Sequence, residues 1–130
     1  MLEWRVQQWT PEHLWERGLG LLIYGPTSAE IEMDDRLLAH LRIVILTKMR
    51  NHEAFSLSWT LEPVQGSGRE TLWVHPSIPL RFRFFGSRPP AINRSWIDLM
   101  VQAANRGDLR IMPEPGPASG SGTGSGDTDG

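Results

Sequence analysis

A chain of 130 residues with a formal net charge of −2 is long enough for one domain, and its charge is too balanced for a dedicated nucleic-acid binder. It contains no cysteine, which excludes disulfides and thiolate metal sites. No run nears the ~18 apolar residues of a membrane span and no signal-peptide pattern opens the chain, so no membrane association and a cytoplasmic protein are expected.

Residues 1–18 hold Trp4, Trp9 and Trp15, and "TPEHLWER" favours a short helix with Thr10 as N-cap and Pro11 at N1. This extension either docks on the core or has no fold of its own. "GLGLLIYGPTSAEIEMDD" opens the core with a strand at Leu21–Tyr24, turn chemistry at residues 25–28 and a second strand at Ala29–Met33. Asp34 suits a helix N-cap and Asp35 an acidic first turn. Leu38, Leu41, Ile45 and Met49 then recur at helical spacing, flanked by Leu37 and Val44. Arg36, His40, Thr47 and Arg50 fall on the other side, which predicts an amphipathic helix ending near Asn51.

"EAFSLSWTLE" alternates cleanly: Phe55, Leu57, Trp59 and Leu61 share one face, and Ala54, Ser56, Ser58 and Thr60 the other. "PVQGSGRE" reads as a loop, "TLWVH" as a strand, residues 76–79 as a turn and "LRFRFF" as the next strand. Asn93 can cap a second helix whose apolar stripe is Ile97, Met100, Val101 and Ala104, with Gly107 as its C′ glycine. "DLRIM" is a last short strand. The order ββ-α-βββ-α-β predicts an α+β fold, with the helices on one face of a mostly antiparallel sheet. From Pro113 onward no apolar residue exceeds Ala in size, so residues 113–130 are expected to be a disordered tail on a domain of residues 19–112.

The charge is unevenly spread. Residues 19–110 carry eleven bases against nine acids, and residues 80–110 carry six Arg against two Asp. Twelve of the thirteen bases are Arg, whose planar fork suits phosphate, although a GC-rich coding sequence also favours Arg. The four His (13, 40, 52 and 75) lack metal-ligand spacing, so no metal and no cofactor are expected. Ser56 and Ser58 read as solvent-face strand residues, since no Gly-x-Ser-x-Gly elbow exists. "GSGR" at 66–69 lacks the Lys-Ser/Thr of a phosphate loop. Arg88, Arg94 and the Asn93 cap sit near a helix start that could receive an anion. Period two puts Leu80, Phe82 and Phe84 on one face of their strand, and Arg81, Arg83 and Phe85 on the other.

These motifs carry a resemblance. "LLIYG" at 21–25, "DDRLLAHLRIVILTKMR" at 34–50, "FSLSW" at 55–59, "LWVHPSIPLRFRFFGSRPPAINRSWIDLM" at 72–100 and "LRIMPEP" at 109–115 resemble a group of small actinobacterial proteins of unknown function. Members of that group commonly carry the label ATP-dependent DNA ligase. The residues do not support ligase activity, because such enzymes attack ATP with the lysine of a Lys-x-Asp-Gly motif. The single lysine here, Lys48, is followed by Met-Arg-Asn. The group usually begins with Met-Gly just before the first strand, where this chain has Leu19-Gly20. The resemblance therefore implies that residues 1–18 are a start-site artefact, which a native peptide spanning residues 10–18 would refute.

The expected function is a small non-catalytic binding module, its partner a nucleic acid or an acidic protein. Arg81, Arg83, Arg88 and Arg94 would supply charge, and Trp73 and Phe85 contact area. Two alternatives stand beside it: an accessory or remnant module of an ATP-dependent DNA ligase, and a homo-oligomeric structural domain.

Overall fold

The computed structural model describes residues 18–61, 68–86 and 88–116. In chain order the elements are β1 (Leu19–Tyr24), β2 (Ala29–Asp34), α1 (Asp35–Arg50), β3 (Phe55–Thr60), β4 (Arg69–Val74), β5 (Leu80–Arg83), α2 (Arg94–Asn105) and β6 (Asp108–Arg110). This is the expected α+β order. The strands form two three-stranded sheets rather than one, β2-β1-β5 and β4-β3-β6. The described residues divide into two compact units: one from residues 18–43 and 77–92, the other from residues 44–76 and 93–116. The readings made for residues 1–17, for most of the 63–70 loop and for the tail beyond Gly116 lie outside the described residues.

The first unit contains the all-antiparallel sheet β2-β1-β5. Gly25 adopts φ +80 in the β1–β2 turn, and its N–H donates to the Pro79 carbonyl at 2.9 Å. Asp34 caps α1: its Oδ2 accepts from the Leu37 N–H at 3.1 Å. Leu22, Leu38 and Leu41 are fully buried here. His40, expected on the polar side of the helix, is fully buried as well. The buried stripe is wider than the Leu38–Leu41–Ile45 line and takes in His40, Val44 and Lys48 at four-residue spacing. The His40 ring donates from Nδ1 to the Arg36 carbonyl at 2.7 Å, which gives its polar edge a partner in the interior.

"LRFRFF" forms a strand only as far as Arg83, whose ladder partner is Leu21. The N–H groups of Phe85 and Gly86 turn instead to the Asp35 carboxylate. That side chain thus takes over hydrogen bonds a longer ladder would have made.

In the second unit β3 is the central strand, antiparallel to β4 and parallel to β6. Phe55, Leu57, Val74 and Leu109 form one fully buried face, and α2 packs against β3 and β6. Removing one such side chain from water stabilises by about 1.5–3 kcal/mol. α2 brings Trp96, Ile97, Met100, Ala103 and Ala104 into this core. Both of its ends are closed as the sequence predicts. Asn93 Oδ1 accepts from Ser95 N and Trp96 N at 3.0 and 3.3 Å, and Gly107 turns the chain at φ +97. The Asn93 amide also donates to Glu114 Oε2 at 2.8 Å, and Trp96 Nε1 donates to the Met112 carbonyl at 3.2 Å. Contacts of α2 thus reach past the boundary at residue 112 suggested by composition.

Lys48 belongs to this unit and is 5% exposed. Its Nζ donates to Glu53 Oε1 and to Asn105 Oδ1, each at 2.7 Å. A buried ammonium is tolerated when it is paired in this way.

Candidate functional site

The two faces of the first unit's sheet differ in chemistry. Register places Arg81 beside Ile23 and Arg83 beside Leu21 on β1, with Glu30 and Glu32 next in line on β2. Each row thus reads Arg, apolar residue, Glu. Leu21 and Ile23 are buried in these rows, with Leu19 and the half-buried Phe85 packed on them. The long Arg and Glu stems can cover such residues while their charged heads stay in water. Two arginines and two glutamates balance, so this face is not a basic patch.

The other side carries a groove of about 580 Å³. One wall is α1, through Asp35, Ala39, Arg42 and Ile43. These positions follow helical spacing on the flank away from Leu38 and Leu41. The facing wall is Phe82 and Phe84, continued by Gly86, Arg88, Pro89, Pro90 and Ile92. Arg36 Nη1 donates to the Ala91 carbonyl at 2.9 Å and ties that second wall to α1. The groove is mostly apolar, and the exposed guanidinium groups of Arg42 and Arg88 stand at it.

Asp35 sits at the groove with an unusual environment. Its Oδ1 is buried and has no hydrogen-bond partner. Burial pushes its carboxyl above the ordinary value, the backbone N–H groups of Phe85 and Gly86 pull it down, and the nearby Asp34 charge adds to the rise. A Cβ on Gly20 would lie 2.7 Å from Asp35 Oδ1 and 2.9 Å from the Arg83 carbonyl oxygen. Glycine is required there because any side chain would collide with both.

The second unit offers a different surface. On the face opposite its core, Trp73, Ser56 and Asp108 form one row across the three strands, and Thr71, Ser58 and Arg110 the next. Arg69 pairs with Thr60 beyond them. The hydroxyls are not idle. Ser56 Oγ donates to Asp108 Oδ1 at 2.6 Å, Ser58 Oγ reaches the same oxygen at 3.2 Å, and Ser58 and Thr71 bond at 2.9 Å. Arg110 Nε approaches Asp108 Oδ2 at 3.4 Å. The Ser56 bond leads the influences that hold the Asp108 carboxyl below its ordinary value. A groove of about 440 Å³ runs over this face, lined by Ser58, Trp59, Thr60, Arg69, Thr71, Arg110 and Ile111. Among the described residues, no three His, Asp or Glu gather to hold a metal ion.

Comparison with known protein families matches residues 19–114 to a domain of unknown function, DUF7882. The chain belongs to the DUF7882 family. No curated protein and no solved structure matches it. No helix among the described residues of this DUF7882 domain is long and apolar enough to cross a membrane.

The residues singled out from the sequence do not form one cluster in this DUF7882 chain. Arg81, Arg83 and Phe85 share the mixed-charge face of the first unit, whereas Arg88 lines the groove on the other side. Trp73 and Arg94 belong to the second unit, Trp73 on its open sheet face and Arg94 as the first residue of α2. Sequence reasoning missed Arg42, although the spacing Asp35–Ala39–Arg42 marks a helical flank that holds it. It also missed Asp108 as the partner of Ser56 and Ser58.

Proposed function

We propose that this protein is a non-catalytic binding module whose first-unit groove takes an acidic protein segment bearing an apolar side chain. The observation that carries the reading is the pairing of an apolar trough with two exposed guanidinium groups. Phe82, Phe84, Pro89, Pro90 and Ile92 offer a dry lining, and Arg42 and Arg88 stand at the same groove. Apolar burial supplies affinity, and arginines beside it select carboxylates through bidentate hydrogen bonds. An acidic protein suits this site better than a polyanionic strand, because the neighbouring sheet face carries as many glutamates as arginines.

The non-catalytic part of the reading is supported by the state of Lys48. Its amine is buried and already bonded to Glu53 and Asn105, which is not how a nucleophile awaiting ATP is presented. Covalent transfer of labelled AMP to Lys48 would overturn it.

The groove is tested by NMR titration with a peptide of alternating Glu and Leu. Shifts are expected at Arg42, Phe82, Phe84, Arg88 and Ile92. Arg42→Glu with Arg88→Glu should weaken binding about tenfold or more, since rim charges replaced by their opposites now repel. An absence of shifts at millimolar peptide removes the reading.

A further inference from the structure

We infer that the open face of the β4-β3-β6 sheet is a platform for single-stranded nucleic acid, with Trp73 as its stacking residue and Arg69 and Arg110 as its phosphate contacts. The inference concerns the second unit alone and does not depend on the first-unit groove.

The starting point is Trp73. It is 53% exposed, on a sheet face whose other members are polar. Its ring lies 6.4 Å from that of His75 at an interplanar angle of 29°, so the two form a stacked aromatic strip along one edge of the sheet. An exposed tryptophan on a polar strand face is costly to keep in water and is well placed to receive a base. Sheets that read single strands expose their aromatics in this manner.

Charge completes the site. Arg69 on β4 and Arg110 on β6 line one groove and flank the central strand. Their strands are separated by two strand spacings, about 10 Å, within reach of two successive phosphates for side chains this long. The Arg110 side chain is highly exposed, and its long 3.4 Å contact to Asp108 uses Nε, leaving the terminal nitrogens directed elsewhere. The Thr60 hydroxyl lies in the row of Arg69 and can donate to a sugar or phosphate oxygen, whereas the Ser58 and Thr71 hydroxyls are engaged with Asp108 and with each other. Asp108 is the one acid in the two central rows, and Ser56, Ser58 and Arg110 already hold it. It offers an acceptor for the exocyclic amine of a base stacked nearby. Trp73 and a guanidinium pair on one face fit a strand with both rings and phosphates. A neutral glycan would leave the arginines unused, and an acidic peptide would leave the ring unused.

The test is fluorescence anisotropy of the full chain with labelled 12-nucleotide DNA and RNA single strands, at 50 and 200 mM salt. Two phosphate contacts predict an affinity about sevenfold weaker at the higher salt. Trp73→Ala should weaken binding about tenfold or more, and Trp73→Phe should retain most of it. Arg69→Gln with Arg110→Gln should remove most of the salt dependence. A duplex of the same sequence should bind more weakly, because its bases are not available to stack. Circular dichroism of each variant establishes that it is folded. No binding at 50 mM salt overturns the proposal. So does binding that Trp73→Ala leaves unchanged, or an equal preference for an acidic peptide or a sulfated glycan.

Discussion

The two units treat buried and half-buried polarity in opposite ways. In the first, the half-buried Asp35 carboxylate has one oxygen enclosed and unpartnered, and a glycine is required beside it. In the second, Asp108 lies in the open and yet is held by two hydroxyls and a guanidinium. The exposed acid is the well-satisfied one. A carboxylate with a missing partner stores a cost that its surroundings must offset, whereas a network completed on the surface only orients its members. Asp35 terminates a strand and shapes a groove wall. Asp108 fixes a row of side chains on an otherwise flat sheet.

Three substitutions would break or sharpen that contrast. The largest effect is expected from Gly20→Ala. The new methyl would meet Asp35 Oδ1 and a backbone carbonyl, neither of which can move freely. A loss of about 3 kcal/mol in urea denaturation is expected, at the upper end of overpacking costs. A loss no larger than a surface substitution would mean that Asp35 is not held where the contrast requires.

Asp35→Asn comes next. Burial raises the folded-state pKa of Asp35, so between the unfolded and folded values the native chain binds more protons than the unfolded one. The contribution of this group to stability is therefore highest below the unfolded value, near pH 4, and falls as pH rises through the folded value. Asparagine has no such loss and keeps an acceptor for a backbone N–H. Relative to the parent chain, the melting temperature of the variant should rise between pH 4 and pH 7. A gap that does not change with pH would place Asp35 in an ordinary solvated setting.

The smallest effect belongs to Ser56→Ala. The Asp108 carboxyl should titrate closer to its ordinary value, read by NMR of its side chain, while the melting temperature barely changes. Asp108 has the opposite sign to Asp35: its stabilising contribution is present above the unfolded pKa and is lost as pH falls through the lowered folded one. If both acids moved in the same direction, the contrast between the units would fail.

What could be read from the sequence was local. Asn93, Gly107 and Asp34 announce helix ends because a cap and its N–H groups lie within a few residues. β3 announces itself by strict alternation. Pairing was not legible, because alternation says which residues share a face but not which strand lies beside them. Hence one sheet was expected where two exist. The same limit hid the candidate sites. Ser56 and Asp108 are 52 residues apart in the chain, and the Asp35 environment depends on Gly20, Phe85 and Gly86. His40 misled for another reason. Its residue type signalled the polar side, but the side chain is buried and Nδ1 bonds the carbonyl one turn back.

The burial of Lys48 gives the protein an internal reporter. It carries the one side-chain primary amine in the sequence, and that amine is 5% exposed and bonded to Glu53 and Asn105. A reagent that acylates free amines therefore finds Lys48 only when the second unit opens. The rate of modification at this residue measures the frequency of opening, without a mutation or a denaturant. Digestion after modification localises the event to a single peptide bond, because cleavage on the carboxyl side of Lys48 fails once its amine is acylated.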